Sequence, residues 1–129
     1  LMSDGELGEG SNWEAMLFAS HNQLDNLIII IDRNKLQSMK NTEDTLKLEP
    51  LPDKFKSFGW DVSVVDGHSH ESLITEFKRQ SILKKPKVII ANTTKGKGVS
   101  FMENSVEWHY KTPLDSKFRQ ALKELGELL

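Results

Sequence analysis

The chain has 129 residues, 37% of them hydrophobic and 28% charged, which is the balance of one globular domain with its own core. Its 17 Lys and Arg residues against 19 Asp and Glu residues give a net charge of −2, without the basic excess that a nucleic-acid-binding protein shows. The absence of cysteine excludes disulfides, thiolate metal ligands and a cysteine nucleophile.

The same sequence predicts neither a membrane segment nor a secretory signal. The longest apolar run, residues 27–31, is far shorter than the roughly 20 residues of a membrane span. The N-terminal segment carries acidic residues where a signal peptide carries basic ones. We therefore expect a cytoplasmic protein. Only Leu1 and Met2 precede a loop that normally follows a strand, so we also expect a piece of something larger, or a chain that needs a partner.

In chain order, strands and helices alternate. A polar, Gly-rich loop over residues 3–12 leads into a helix that Ser11 or Asn12 can cap. The β-branched run 27–31 then predicts a strand buried on both faces, closed by polar residues 32–35. After an irregular stretch over 37–48, we predict a helix at 52–58, a strand at 61–66, a helix at 69–83, a strand at 86–93, a long loop to residue 113 and a helix at 115–129.

This order predicts an α/β fold, a mostly parallel sheet flanked by helices on both faces, in one partial domain over 1–129 that is truncated at its N-terminus. Ligands of such sheets bind beyond the carboxyl ends of the strands. The chemistry is therefore expected near residues 3–10, 32–36 and 93–110.

Asp4, Gly5 and Asn34 are the first candidates for a functional site. A carboxylate and an amide oxygen, with a main-chain carbonyl as a third ligand, form the hard oxygen set that Mg²⁺ prefers. Gly5 allows the backbone to approach a phosphate closely, and a cation would relieve the repulsion between Asp4 and that phosphate. On the residues alone, an Asx-turn at Asp4 and a loop asparagine at 34 explain the pattern equally well.

The surrounding residues resemble a known family. The run Ser-Asp-Gly-Glu-Leu-Gly-Glu-Gly at 3–10, with Asn34 placed 30 residues after Asp4, is similar to the thiamine-diphosphate signature of transketolases. The resemblance continues through Phe-Gly-Trp at 58–60, Thr-Thr-Lys-Gly-Lys-Gly at 93–98 and Trp-His-Tyr-Lys at 108–111. It covers nearly the whole chain and is greatest with the N-terminal half of split, two-subunit bacterial transketolases.

The resemblance implies a role for each matching position. The side chains of Asp4 and Asn34 and the main-chain carbonyl of Leu36 would hold Mg²⁺. Gly5, Asn34 and Ser3 would contact the diphosphate; Ser3 stands where the common pattern has glycine, but its backbone amide is retained.

His109 matches a histidine near the diphosphate and the sugar, which gives it a catalytic role. On the residues alone, a structural role fits His109 as well. His68 and His70 are expected on the solvated surface. Lys95 receives no cofactor role, because transketolases commonly carry an apolar residue there.

The implied reaction is transfer of a two-carbon ketol unit between sugar phosphates. It requires a complementing pyrimidine-binding domain or subunit in a dimer or higher oligomer, so the chain alone is expected to be inactive. Two alternatives remain: another thiamine-diphosphate enzyme (a deoxyxylulose-phosphate synthase or a ketoacid dehydrogenase subunit), or a non-catalytic α/β assembly module. The run 6–10 and the Trp-His pair at 108–109 fit transketolase better than the two other enzymes.

Overall fold

A computed structural model describes residues 1–82 and 84–126. Within these ranges four strands form one parallel sheet in the order β1-β2-β4-β3. The strands are β1 (Met2–Ser3), β2 (Ile28–Arg33), β3 (Asp61–Asp66) and β4 (Lys87–Asn92). The predicted α/β class is confirmed.

Five α-helices and two 3-10 helices connect the strands in the described residues. The α-helices are α1 (Gly10–His21), α2 (Thr42–Thr45), α3 (Leu51–Ser57), α4 (His70–Lys78) and α5 (Asp115–Glu124); the 3-10 helices are Gly5–Gly8 and Val106–His109. Residues 3–12 were predicted to be loop but are mostly helical. The stretch 37–48, predicted to be irregular, contains α2.

Two helices end earlier than the sequence predicts. Helix α4 begins after Ser69, whose hydroxyl accepts the amide of Ser72 at 3.2 Å, but it ends at Lys78 rather than at residue 83. Arg79 is extended instead, and its side chain bonds Asp61 of β3. Helix α5 was predicted to reach residue 129 but ends at Glu124; Leu83 and residues 127–129 lie outside the described residues.

Alternate residues of the strands face two helical layers. On one face Ile31, Val88 and Ile90 pack against a core built from α1, α3 and the residues before β3, where the Trp60 indole donates to the Met16 carbonyl at 3.0 Å. On the other face, α4 packs on β3. Lys87 is buried there because its ammonium donates to the main-chain carbonyls of Glu76 and Arg79.

The strand predicted at 27–31 differs from β2 in two respects. It begins at Ile28 and continues through Asp32 and Arg33, which were predicted to close it as polar residues. Burial on both faces is also wrong for its first half: Ile28 is 38% exposed, whereas Ile31 is fully buried. The reason is that α4 packs on β3 and leaves the start of β2 uncovered. No helix in the described ranges is long and apolar enough to cross a membrane.

Candidate functional site

Three chain segments meet where parallel strands end. The amide of Asp4, just after β1, donates to the carbonyl of Asp32 at 3.2 Å, and the amide of Thr93, just after β4, donates to the carbonyl of Arg33 at 3.1 Å. Asn34 follows β2 directly between them. The segments that the sequence marked for chemistry are therefore neighbours, as the parallel topology requires.

Asp4 is fully buried, and its two carboxylate oxygens have different surroundings. Oδ2 accepts the main-chain amide of Lys35 at 2.6 Å and Nη1 of Arg33 at 3.0 Å. Oδ1 is buried without a hydrogen-bond partner among the described residues. Since the Lys35 amide belongs to the peptide bond that Asn34 begins, the carboxylate lies beside Asn34. One oxygen of Asp4 is thus held in place, while the other lacks the partner that a buried carboxylate needs.

The buried Arg33 side chain, which is 2% exposed, is surrounded by acceptors. Besides Asp4, it donates to the Thr42 hydroxyl at 2.7 Å, to Glu43 at 3.0 Å and to Glu49 at 2.9 Å. Burial by itself lowers the pKa of Arg33, but the bonds to Glu49 and Asp4 outweigh that cost and the pKa is raised. Arg33 therefore stays charged and ties the end of β1 to the segment that precedes α3.

Glu49, whose side chain is partly exposed, also belongs to this network. Its Oε2 accepts the amide of Leu51 at 2.9 Å, and that bond is the largest cause that lowers the pKa of Glu49; burial opposes it, and Arg33 adds to it. Counting Asp4, Glu43 and Glu49 against Arg33, the network holds three carboxylates and one guanidinium. The net charge of the network is therefore negative and equals that of two carboxylates.

Asn34 closes a turn with its own side chain. Its Oδ1 accepts the amide of Leu36 at 2.9 Å, which is an Asx-turn. The Asx-turn that the sequence allowed as an alternative at Asp4 is therefore found at Asn34. An amide oxygen has a second lone pair, so this bond leaves Oδ1 able to accept another partner.

A cavity of about 400 Å³ opens at these strand ends. Its wall includes five of the six residues that the resemblance singled out: Ser3, Gly5, Asn34, Leu36 and His109. Asp4 lies on a neighbouring cavity of about 210 Å³ that shares Gly5 and Gln37 with the first. The structure thus brings together all the predicted site residues, with Asp4 placed behind the wall rather than on it.

Gly5 is needed where it stands. A Cβ built on it would lie 3.0 Å from Cβ of Gln37 and 3.1 Å from its Oε1, so any side chain would push against the turn after β2. Gln37 reaches this point because the chain folds back on itself, with an isolated bridge between Leu36 and Asn41. A side chain at Gly5 would therefore displace Gln37, which lies beside it on the wall of the cavity.

Several residues of the site were missed by the sequence analysis. Lys95, which was given no cofactor role, lies on the cavity wall, together with Glu6, Gln37 and Ser38. The position of Lys95 in the segment after β4 could have indicated a place in the site. It was given no role because the family commonly has an apolar residue there. His68 was expected on the solvated surface; it is exposed, but its Nε2 accepts the amide of Thr94 at 2.7 Å and so anchors the loop that carries Lys95.

His109 reaches the cavity from a distant part of the chain. It ends the 3-10 helix Val106–His109, and its ring stacks on Tyr110 with centroids 4.6 Å apart. The neighbouring Trp108 packs edge-on against Phe101 at 5.0 Å. The long loop is therefore held by aromatic contacts that present His109 to the site.

The described residues contain no group of three or more His, Cys, Asp or Glu side chains that could hold a metal ion. A cation in this site would instead use one carboxylate, an amide oxygen and main-chain or ligand oxygens, the set that suits Mg²⁺ together with a phosphate. The carboxyl edge of a parallel α/β sheet is where ligands of such folds bind.

Comparison with known proteins gives the family. Residues 1–127 match the family model described as the transketolase thiamine diphosphate binding domain. The chain belongs to that family.

Several individual proteins are similar to this chain. One subunit of the apulose-4-phosphate transketolase of Phocaeicola vulgatus is 44% identical over 128 residues, which are 98% of this chain and 46% of that protein. Human transketolase is 38% identical over 125 residues, or 97% of this chain and 20% of that protein. The crystal structure of transketolase from Campylobacter jejuni superposes with a TM-score of 0.86 at 30% identity, covering 98% of this chain and 20% of that one. The chain thus spans about half the length of the apulose-4-phosphate transketolase subunits it matches, and a fifth of the longer enzymes.

Proposed function

We propose that this chain is the diphosphate- and Mg²⁺-binding part of a transketolase-like transferase that moves a two-carbon ketol unit between sugar phosphates. The observation that carries the proposal is Asp4 Oδ1, a buried carboxylate oxygen without a partner in the described part of the chain. A bound cation would satisfy it, and Mg²⁺ is the cation that matches the oxygen ligands nearby.

The proposed metal ligands are Asp4 through Oδ1, Asn34 through Oδ1 and Leu36 through its carbonyl. The fit is supported by the position of Asp4 against the peptide bond between Asn34 and Lys35. It is also supported by the net negative charge of the network around Arg33, which a divalent cation would balance. Diphosphate oxygens and water would complete the coordination shell.

The diphosphate would lie in the cavity of about 400 Å³. There the backbone of Ser3 and Gly5 would contact it, Asn34 would touch it beside the metal, and the Lys95 ammonium would offset its charge. When bound, the cofactor would supply the thiazolium chemistry that breaks and forms the carbon–carbon bond. Gly5 contributes by having no side chain, because a Cβ there would press on Gln37 and shift the turn that follows β2.

His109 is the proposed catalytic residue of this chain. Its place on the cavity wall allows it to donate to a phosphate oxygen or to exchange a proton with a sugar hydroxyl. The imidazole stacks on the ring of the neighbouring Tyr110.

The complete activity would require more than this chain. The chain spans 46% of relatives that are each named as one subunit of an apulose-4-phosphate transketolase, and that name supports a second, partner chain. We propose that the partner carries the pyrimidine-binding domain, that the assembly is a dimer or higher oligomer in the cytoplasm, and that the chain alone has no turnover. Residues 1–129 would form part of the thiamine-diphosphate-binding domain.

A non-catalytic assembly module is the second candidate, and one observation favours it. Arg33 already neutralises Asp4, so the buried carboxylate has a charge partner without any metal. The unpartnered Oδ1 is what this alternative leaves unexplained. The other thiamine-diphosphate enzymes named above would use the same ligands and differ in substrate.

Thermal unfolding of the chain assembled with its complementing partner distinguishes these functions. Thiamine diphosphate with Mg²⁺ should raise the melting temperature, because a ligand that binds only the folded state stabilises it. Asp4→Asn should abolish the shift, while Asp53→Asn, an exposed control at the start of α3, should keep it. No shift in the wild-type protein, or an equal shift in Asp4→Asn, would reject the proposal.

A further inference from the structure

One side chain separates the two cavities at the strand ends. The cavity of about 400 Å³, where the diphosphate is proposed to bind, and the neighbouring cavity of about 210 Å³, which Asp4 lines, share Gly5 and Gln37 in their walls. Gly5 has no side chain, so the side chain of Gln37 and the backbone of Gly5 form the boundary. A metal ion at Asp4 and a diphosphate in the larger cavity would meet there.

The backbone of Gln37 is fixed, whereas its side-chain carboxamide is free to turn. The main-chain amide of Gln37 donates to the carbonyl of Lys40 at 3.0 Å, and a bridge between Leu36 and Asn41 closes the same turn. The half-buried side chain lies against Gly5, since a Cβ built on Gly5 would be 3.1 Å from Gln37 Oε1. The carboxamide makes no hydrogen bond with the described residues, so its donors are available to a ligand.

We propose that Gln37 is a further cofactor-binding residue, whose carboxamide donates an N–H to a diphosphate oxygen at the boundary between the two cavities. The inference deepens the proposed function and rests on it, because it assumes that the diphosphate lies in the larger cavity. Gln37 directly follows Leu36, one of the proposed metal ligands. The turn that would hold the ion therefore also carries a donor to the phosphate.

A neutral carboxamide suits this boundary better than a charged side chain would. Its nitrogen carries two N–H donors, and the oxygens of a diphosphate only accept. A lysine at this position would repel the metal ion, and a glutamate would repel the diphosphate and add to the negative charge of the network around Arg33. A glutamine binds the anion without opposing the cation beside it.

Titration of the assembled protein with thiamine diphosphate at saturating Mg²⁺ tests this contact. Gln37→Met keeps the length of the side chain and its lack of charge but removes the donor. The dissociation constant of the cofactor should rise about tenfold, the lower end of what a hydrogen bond to a charged group contributes. The melting temperature of the assembly without cofactor should stay unchanged, because the carboxamide bonds none of the described residues.

Gln80→Met is the matched control. Gln80 is exposed and follows Arg79, which pairs with Asp61 at the amino end of β3, so the same substitution is made at the opposite end of the sheet. Its affinity for the cofactor should equal that of the wild type. Equal affinities of Gln37→Met and the wild type would overturn the inference.

A lower melting temperature of Gln37→Met without cofactor would show that the substitution disturbs the turn, and the wild-type protein then decides. In a crystal of the assembly with thiamine diphosphate and Mg²⁺, the side-chain nitrogen of Gln37 should lie about 2.7–3.2 Å from a diphosphate oxygen. A carboxamide that points away from the diphosphate would overturn the inference. If the wild-type assembly does not bind the cofactor in this cavity, the proposed function fails; if it does and Gln37→Met binds it equally well, only this inference fails.

Discussion

His68 Nε2 accepts a hydrogen bond from the main-chain amide of Thr94 at 2.7 Å, and this bond joins the turn after β3 to the loop after β4. The next residue, Lys95, lies on the wall of the cavity where the diphosphate is proposed to bind. His68 does not line the cavity, but its bond to Thr94 holds the loop that carries Lys95.

His68→Ala should weaken thiamine diphosphate binding without changing the fold. Loss of one hydrogen bond of ordinary strength lets the loop move, and we expect the dissociation constant of the cofactor in the assembly to rise about threefold. Titration calorimetry measures this directly. His70→Ala, an exposed change two residues further on, should have no effect, and equal affinities for His68→Ala and wild type would contradict the supporting role.

Lys95 and Lys97 offer a matched pair for the electrostatic part of the site. Lys95→Met removes a cation from the cavity wall and should raise the cofactor dissociation constant about tenfold, with a smaller dependence of binding on salt than in the wild type. Lys97 is 56% exposed and pairs with Glu103, so Lys97→Met should leave binding nearly unchanged. The same titrations at low and high salt decide; equal effects of the two variants would remove Lys95 from the proposed site.

Gly96 holds the backbone of the same loop in a conformation that other residues avoid. Its φ is +75°, and a Cβ there would lie 2.5 Å from the carbonyl oxygen of Met102. Gly96→Ala should lower the free energy of unfolding by about 2 kcal/mol or more, because both the positive φ and the clash are costly. Gly8→Ala is the control, as nothing lies within 4 Å of a Cβ there. Urea unfolding that shows equal stabilities for the two variants would contradict this account of the loop.

Asp61 lies at the end of the sheet far from the site, and we expect it to make the folding stability of the protein depend on pH in the acid range. Burial raises the pKa of Asp61, but the hydrogen bonds from Arg79 and from the Ile82 amide outweigh it, so the pKa lies below the usual value. Its contribution to stability is therefore complete above the unfolded pKa of about 3.9 and is lost as the pH falls through the lower folded value.

Asp61→Asn tests this relationship. At neutral pH the variant should be less stable than wild type by about 1–3 kcal/mol, since a half-exposed Arg79 loses a buried partner. Below about pH 3.9 the difference should shrink steadily. Urea unfolding from pH 7 to pH 2.5 measures it, and Asp53→Asn should show little effect at any pH because that carboxylate is 67% exposed. A difference that stays constant across this range would refute the role of Asp61.

The parts of the fold that the sequence predicts well are those set by local patterns. Alternation of strands and helices predicts the parallel sheet, and the runs at residues 61–66 and 86–93 predict β3 and β4 to within a residue at each end. The position of Asp4 and Asn34 in segments that follow strands predicts that both reach the same edge, because parallel strands place their carboxyl ends together.

A local sequence pattern could not predict the environment of Arg33. In the sequence it stands in a polar stretch, residues 32–35, that is typical of a solvated loop. Its burial depends on Glu43 and Glu49, which are 10 and 16 residues away and are brought near only when the segment before α3 folds back over the strand end. The contact of His68 with Thr94 likewise joins residues 26 positions apart. Pairings at this range follow from the tertiary fold rather than from local propensity.

The most direct test of the central claim is the position of a bound metal ion. Crystals of the assembled protein with thiamine diphosphate and Mn²⁺ would reveal the ion by its anomalous scattering. We predict one peak that lies within coordination distance of Asp4 Oδ1, Asn34 Oδ1 and the Leu36 carbonyl, in contact with the diphosphate. A diphosphate bound in the cavity with no ion at Asp4, or an ion held by other residues, would contradict the account.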